Sequence, residues 1–211
     1  MLTELASFGL LAFTSFLAII DPFGIMPVYL TMTASLTPAE RSKTARKAVI
    51  VAFFAIVLFA FTGQFIFKFF SISINSLRVV GGIIFFMMGF DMLQAKLVRT
   101  NVDDNFKKQY INDISVTPLA IPMLCGPGAI ANAVVLMEDA ASWQMQLVLI
   151  AAIAAVCLLV WLSLTGASKV IHLLGDTGTK IMMRLMGLII MVIAVEFFFS
   201  GLKPIVRDIL K

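Results

Sequence analysis

Charge, cysteine, histidine and the amphipathic aromatics are all scarce in this sequence. Asp, Glu, Lys and Arg make up 13% of its 211 residues, against 61% hydrophobic, and the mean hydropathy is +1.03. Soluble domains carry about 25% charged residues, so a soluble enzyme is excluded. The two cysteines, Cys125 and Cys157, both lie inside apolar runs; a disulfide framework is unsupported and they read as small hydrophobes. A single histidine, His172, provides no cluster of metal ligands. Neither a metal nor another cofactor is expected. With only 2 Trp and 2 Tyr beside 19 Phe, the interfacial aromatic belt is sparse. Basic residues exceed acidic ones, 16 to 12, but they sit in short stretches between apolar runs, which reports topology. The expected partner is membrane lipid, with no nucleic acid. No Lys or Arg precedes the first apolar run, and a cleaved signal peptide needs a basic start, so this segment is expected to stay in the mature protein.

What is present is a series of long apolar stretches. About 20 residues of helix cross a bilayer, and six stretches qualify: Leu5 to Met32, Ala48 to Phe70, Leu77 to Ala95, Thr117 to Met137, Trp143 to Gly166 and Ile181 to Leu202. The fold class expected is an all-α integral membrane protein, a single transmembrane domain over residues 1–211. The most polar stretch, near 96–116, is too short for a second domain. The first and fourth crossings carry helix breakers: Asp21-Pro22-Phe23-Gly24 with Pro27, and Pro118, Pro122 and Gly126-Pro127-Gly128. Proline removes a backbone donor and clashes with the preceding turn. Both helices should therefore be broken near the membrane centre, where freed carbonyls must face protein or a water-filled cavity.

Lys and Arg set the orientation. Ten fall on one side: Arg41, Lys43, Arg46 and Lys47, then Lys96, Arg99, Lys107 and Lys108, then Lys169 and Lys180. Four fall on the other: Lys68, Lys203, Arg207 and Lys211. Both termini are thus expected on the non-cytoplasmic side. The halves also echo each other. Pro22 and Pro127 are 105 positions apart, and Arg78-Val-Val-Gly81 returns as Arg184-Leu-Met-Gly187 at an offset of 106. Three crossings per half, an odd number, make such a duplication an inverted repeat. Repeat A would cover about 1–95, a cytoplasmic linker about 96–116, and repeat B about 117–211, with the breaks marking a site near the midplane.

Asp21-Pro22-Phe23-Gly24-Ile25-Met26-Pro27, then Leu36-Thr37-Pro38-Ala39-Glu40-Arg41, then Thr117-Pro118-Leu119-Ala120-Ile121-Pro122 and Gly126-Pro127-Gly128-Ala129-Ile130 together carry a family signature. The whole chain resembles the MarC family of inner-membrane proteins. The resemblance implies a bacterial inner (plasma) membrane location and transport of small neutral amino acids such as glycine and alanine. Met123-Leu124-Cys125 departs slightly from the pattern, and Cys125 would line any cavity there.

Read as chemistry, Asp21 could receive a substrate ammonium, carry a coupling proton, or cap the half-helix that starts at Pro22. Gly126, Pro127 and Gly128 leave room for a small ligand, and the helix that follows would turn unpaired N–H groups and a positive dipole end toward a carboxylate. The same glycines would equally suit close helix packing. Asn132 could line that space, while Phe23 and Met26 would be apolar walls or core. Among the remaining intramembrane charges, Arg78 with Glu196 and Arg184 with Asp91 are candidate ion pairs, one toward each face; the alternative is that each snorkels to its interface.

The reading that results is a secondary transporter, not an enzyme. It would carry a small amino acid of the glycine, alanine and serine class by alternating access, with a proton or sodium ion as coupling partner. A solute or ion channel shares the architecture. An intramembrane hydrolase would need two catalytic groups at one depth, and Asp21 with Asp91 is the acidic pair to name.

Overall fold

The computed structural model describes residues 2–94 and 114–210, apart from the side chains of 2, 88, 168–176, 179, 180, 182, 183 and 186. The predicted linker, with Lys96, Arg99, Lys107 and Lys108, falls almost wholly outside them, as do the side chains of Lys169, His172 and Lys180. Within the described residues the chain is all helical. Helix α1 is Leu2–Ile20, α2 Pro22–Met32, α3 Pro38–Phe69 and α4 Ile74–Leu93; a wide, irregular coil spans Ser115–Leu124, followed by α5 Pro127–Asp139 and α6 Trp143–Ile209.

Local chemistry sets these boundaries. Asp21 adopts a left-handed conformation (φ 45°, ψ 77°), and its carboxylate accepts the N–H of Gly24 at 3.1 Å, with Pro22 at the first helical position of α2. Asp is a favoured cap and Pro a favoured first residue, since its missing N–H is not needed there. Thr37 and Glu40 form a reciprocal capping box at the start of α3. Ser73 caps α4 and Ser142 caps α6. Around Ser115–Leu124 the backbone is extended at Thr117 and Ile121, each directly before a proline in a cis peptide. Proline sterics push the preceding residue out of the helical region, so no regular helix can form.

Among the described residues five segments are long and apolar enough to cross, six with one bent pair counted as a span, where the apolar runs predict six. Thr3–Met32, Pro38–Phe69, Ile74–Leu93, Trp143–Ala167 and Gly187–Ile209 are each long and apolar enough to cross; Ser115–Leu124 with Pro127–Asp139, bent by 57°, makes a sixth when counted as one span. The last two crossings are joined in one helix of 67 residues, which if straight would measure about 100 Å. It cannot be straight. Val148 meets Gly9 on α1, while Phe197 shares a cavity with Ile19 and Ile20 only some ten residues further along α1. The two membrane-length parts of α6 therefore return along the same bundle.

The buried core lies where α1, α2, α3, α5 and the first part of α6 meet, around Phe16, Tyr29, Ile56, Leu119, Leu149 and Ile153. One face of α3 is built of small residues, Ala45, Ala48, Ala52, Ala60 and Gly63, which lets neighbouring backbones approach, the usual basis of helix association in lipid. Helix α4 runs antiparallel to the end of α6 in near backbone contact: a Cβ at Gly89 would stand 2.7 Å from the Gly187 carbonyl, and one at Gly82 2.7 Å from the Phe198 nitrogen.

The basic run Arg41, Lys43, Arg46 and Lys47 is not in a loop, as the topology count assumed, but inside α3. The capping box starts the helix before them. Arg41 is buried, its Nε donating to Thr33 O at 2.9 Å and one Nη to Ala34 O at 2.8 Å, while the Tyr29 hydroxyl donates to Arg41 O at 2.8 Å. It caps the open carbonyls at the end of α2 and ties that end to α3.

Candidate functional site

The two Pro/Gly interruptions meet across one cavity of about 300 Å³. From the first come Ile20, Asp21, Gly24 and Ile25, and from the second Leu124, Gly126, Pro127 and Gly128. Opposite them stand Phe85 of α4 and Ile189, Ile190, Ile193 and Phe197 of α6. The latter recur at spacings of three and four residues, one face of a helix. Their side chains make the cavity mainly apolar, where the matched breaks suggested a polar one. Its polarity is concentrated at two points.

The first point is the Asp21 carboxylate. One oxygen holds Gly24 N–H; the other takes no hydrogen bond among the described residues. A Cβ on Gly24 would run into this carboxylate, so glycine is required for the cap to close. The second point is the start of α5. Gly126 precedes it with no side-chain cap and Pro127 opens it. The N–H groups of Gly128 and Ala129 therefore lack an intrahelical acceptor and carry the positive end of the helix dipole. Gly128 faces the cavity wall: its Cβ would meet Ile19 at 3.2 Å and Phe197 at 3.8 Å. Gly126 is tight for a different reason, since a Cβ there would stand 2.6 Å from the Pro122 carbonyl. A carboxylate and an uncapped helix N-terminus in one apolar cavity can bind opposite charges on one small molecule.

Other predicted site residues lie elsewhere. Pro22 is buried beneath the cap and outside the lining. Phe23 points away, 71% exposed on the outer surface of the bundle. Cys125 is buried in the core and does not line the cavity. Asn132 donates to the Ser15 hydroxyl at 3.0 Å, joining α5 to α1. Arg78, Asp91, Arg184 and Glu196 form no ion pair among the described residues. Asp91, Arg184 and Glu196 are exposed, and Arg78 packs its Cβ toward Gly201, about five residues beyond Glu196 and so on another side of α6. Among the described residues no group of His, Cys, Asp and Glu could hold a metal. Reading the sequence did not single out Phe85, Ile193 and Phe197 in the cavity wall, and it counted Arg41 as a topological charge and a motif residue without the buried cap that it makes.

No solved structure matches the chain. A UPF0056 membrane protein of Methanocaldococcus jannaschii is 35% identical over 198 residues, covering 92% of this chain and 95% of its own length. The UPF0056 membrane protein YvbG of Bacillus subtilis is 38% identical over 200 residues, 93% of this chain and 95% of its own. Another, from Buchnera aphidicola, is 36% identical over 198 residues, 94% and 93%. Residues 6–206 match the MarC family integral membrane protein description, so the chain belongs to the MarC family and is a multi-pass integral membrane protein.

Proposed function

We propose that this chain is a secondary transporter of small neutral amino acids, not an enzyme, and that the cavity between Asp21 and the start of α5 is its substrate site. The observation that carries the reading is the convergence of a carboxylate and an uncapped helix N-terminus on one small, mainly apolar cavity. A zwitterion would place its ammonium at Asp21 and its carboxylate at the Gly128 and Ala129 N–H groups. Walls of Ile and Phe disfavour a charged side chain, and the glycines at the two breaks let a small substrate approach the backbone closely.

The architecture we infer is a pair of inverted three-helix repeats with interrupted first helices. The helix caps support it: Asp21 and Gly126 are 105 positions apart, and so are Thr37 and Ser142. Transporters built this way hold substrate near the midplane at the repeat interface and rock one repeat against the other. Both termini would face away from the cytoplasm, and a proton or sodium ion would supply the coupling. The test is uptake of labelled glycine by proteoliposomes. Saturable uptake with counterflow of alanine or serine, and weak competition by leucine or arginine, is expected; flux without saturation or counterflow would indicate a channel instead.

A further inference from the structure

The surface of the bundle carries a second cavity, of about 340 Å³, between α3 and the first part of α6. On α3 it is lined by Arg46, Val49, Ile50, Phe53 and Phe54, and on α6 by Ala154, Cys157, Leu158 and Trp161. It is remote from the substrate cavity in composition and shares no residue with it. Lys43, Arg46, Ile50 and Phe53 follow one another at spacings of three and four, so they form one stripe along α3. The two cations stand at the end of the stripe nearest Pro38 and both are exposed. Everything deeper is apolar. Arg46 is eight residues into α3, about 12 Å from its start, and Phe54 lies about 12 Å deeper.

A charged end followed by an apolar trough along a membrane-crossing helix is complementary to one kind of molecule. We infer that this groove is a binding site for an anionic phospholipid of the leaflet at the Pro38 end, with its phosphate on Arg46 and Lys43 and an acyl chain between Phe53, Phe54, Leu158 and Trp161. The guanidinium can bind phosphate through two parallel N–H groups, and cations at the membrane surface attract anionic lipid. Neutral lipid gains from the trough but not from the cations, and free phosphate gains from the cations but not the trough. Occupancy would hold α3 against α6 and leave the amino-acid site untouched.

Native mass spectrometry of the purified full chain, titrated with phosphatidylglycerol, phosphatidylethanolamine or inorganic phosphate, tests this. The wild-type chain should retain one phosphatidylglycerol in preference to phosphatidylethanolamine, undisplaced by phosphate. Arg46→Ala should weaken binding by about fivefold and the Lys43→Ala/Arg46→Ala double variant by about twenty-five-fold, following the contribution of each near-surface cation. Ala154→Trp, at an exposed position, should displace the lipid with both cations intact. Equal retention of the two lipids, displacement by phosphate, or unchanged binding in Arg46→Ala would overturn the assignment. Thermal midpoints of the lipid-free variants identify any that are misfolded, and Arg46→Ala remains decisive should Ala154→Trp be one of them.

Discussion

The interruptions at Asp21 and at Gly126, 105 positions apart in the sequence, both border the same cavity, and they end one helix and start the next in different ways. At the first, one left-handed residue separates two helices that still read as a single membrane-length segment, and a carboxylate closes the cap. At the second, the backbone of Thr117 to Cys125 is irregular, the bend is 57°, and glycine leaves the new helix uncapped. A shared spacing thus yields opposite electrostatics. The first break brings negative charge to the cavity and the second brings donors, which is what a dipolar ligand requires and what two identical breaks would not supply.

The sharpest way to break this comparison is to remove the charge while keeping the cap. Asn caps helices as well as Asp, so Asp21→Asn should fold with little change in thermal midpoint. If Asp21 holds the substrate ammonium, glycine uptake should fall by about 10- to 100-fold, as expected for a lost charged hydrogen bond worth about 1.5–3 kcal/mol. Uptake at the wild-type level in Asp21→Asn would reduce the residue to a cap. At the second break the two glycines should part company. Gly126→Ala forces a methyl against the Pro122 carbonyl and should cost about 1–3 kcal/mol of stability, seen as a lower unfolding midpoint. Gly128→Ala should keep the fold and lose alanine and serine in competition assays before it loses glycine. Smaller still is the tie between the halves: Asn132→Ala removes the hydrogen bond to Ser15 and should cost about 0.6 kcal/mol, with substrate preference unchanged. A preference shifted by Asn132→Ala would place that residue in the cavity after all.

The all-helical membrane class and its five to six apolar segments were legible in the sequence because bilayer thickness and proline chemistry are local constraints. Which side chains face the cavity was less so. Phe23 and Cys125 adjoin lining residues, but each step of a helix turns the side chain by about 100°, and beyond the irregular Ser115–Leu124 coil no period predicts direction. Ile193 and Phe197 lie on an ordinary apolar helix, where only tertiary packing distinguishes a cavity wall from a lipid-facing surface. The basic run at Arg41 to Lys47 suggested a loop because charge in a membrane protein usually marks one; Thr37-Pro38-Ala39-Glu40 already contained the helix start that places it in α3. Arg78 and Glu196 matched in depth and sign, yet pairing also needs matching azimuth, which depth alone cannot fix.

The central claim, that one cavity reads both ends of a zwitterion, is tested most directly by calorimetric binding of glycine, glycinamide and N-acetylglycine to the purified protein. Glycinamide lacks the carboxylate and N-acetylglycine lacks the ammonium. Glycine should bind and both analogues should be weaker by at least about tenfold, the effect of losing one charged hydrogen bond. Binding of either analogue as tightly as glycine would contradict the claim.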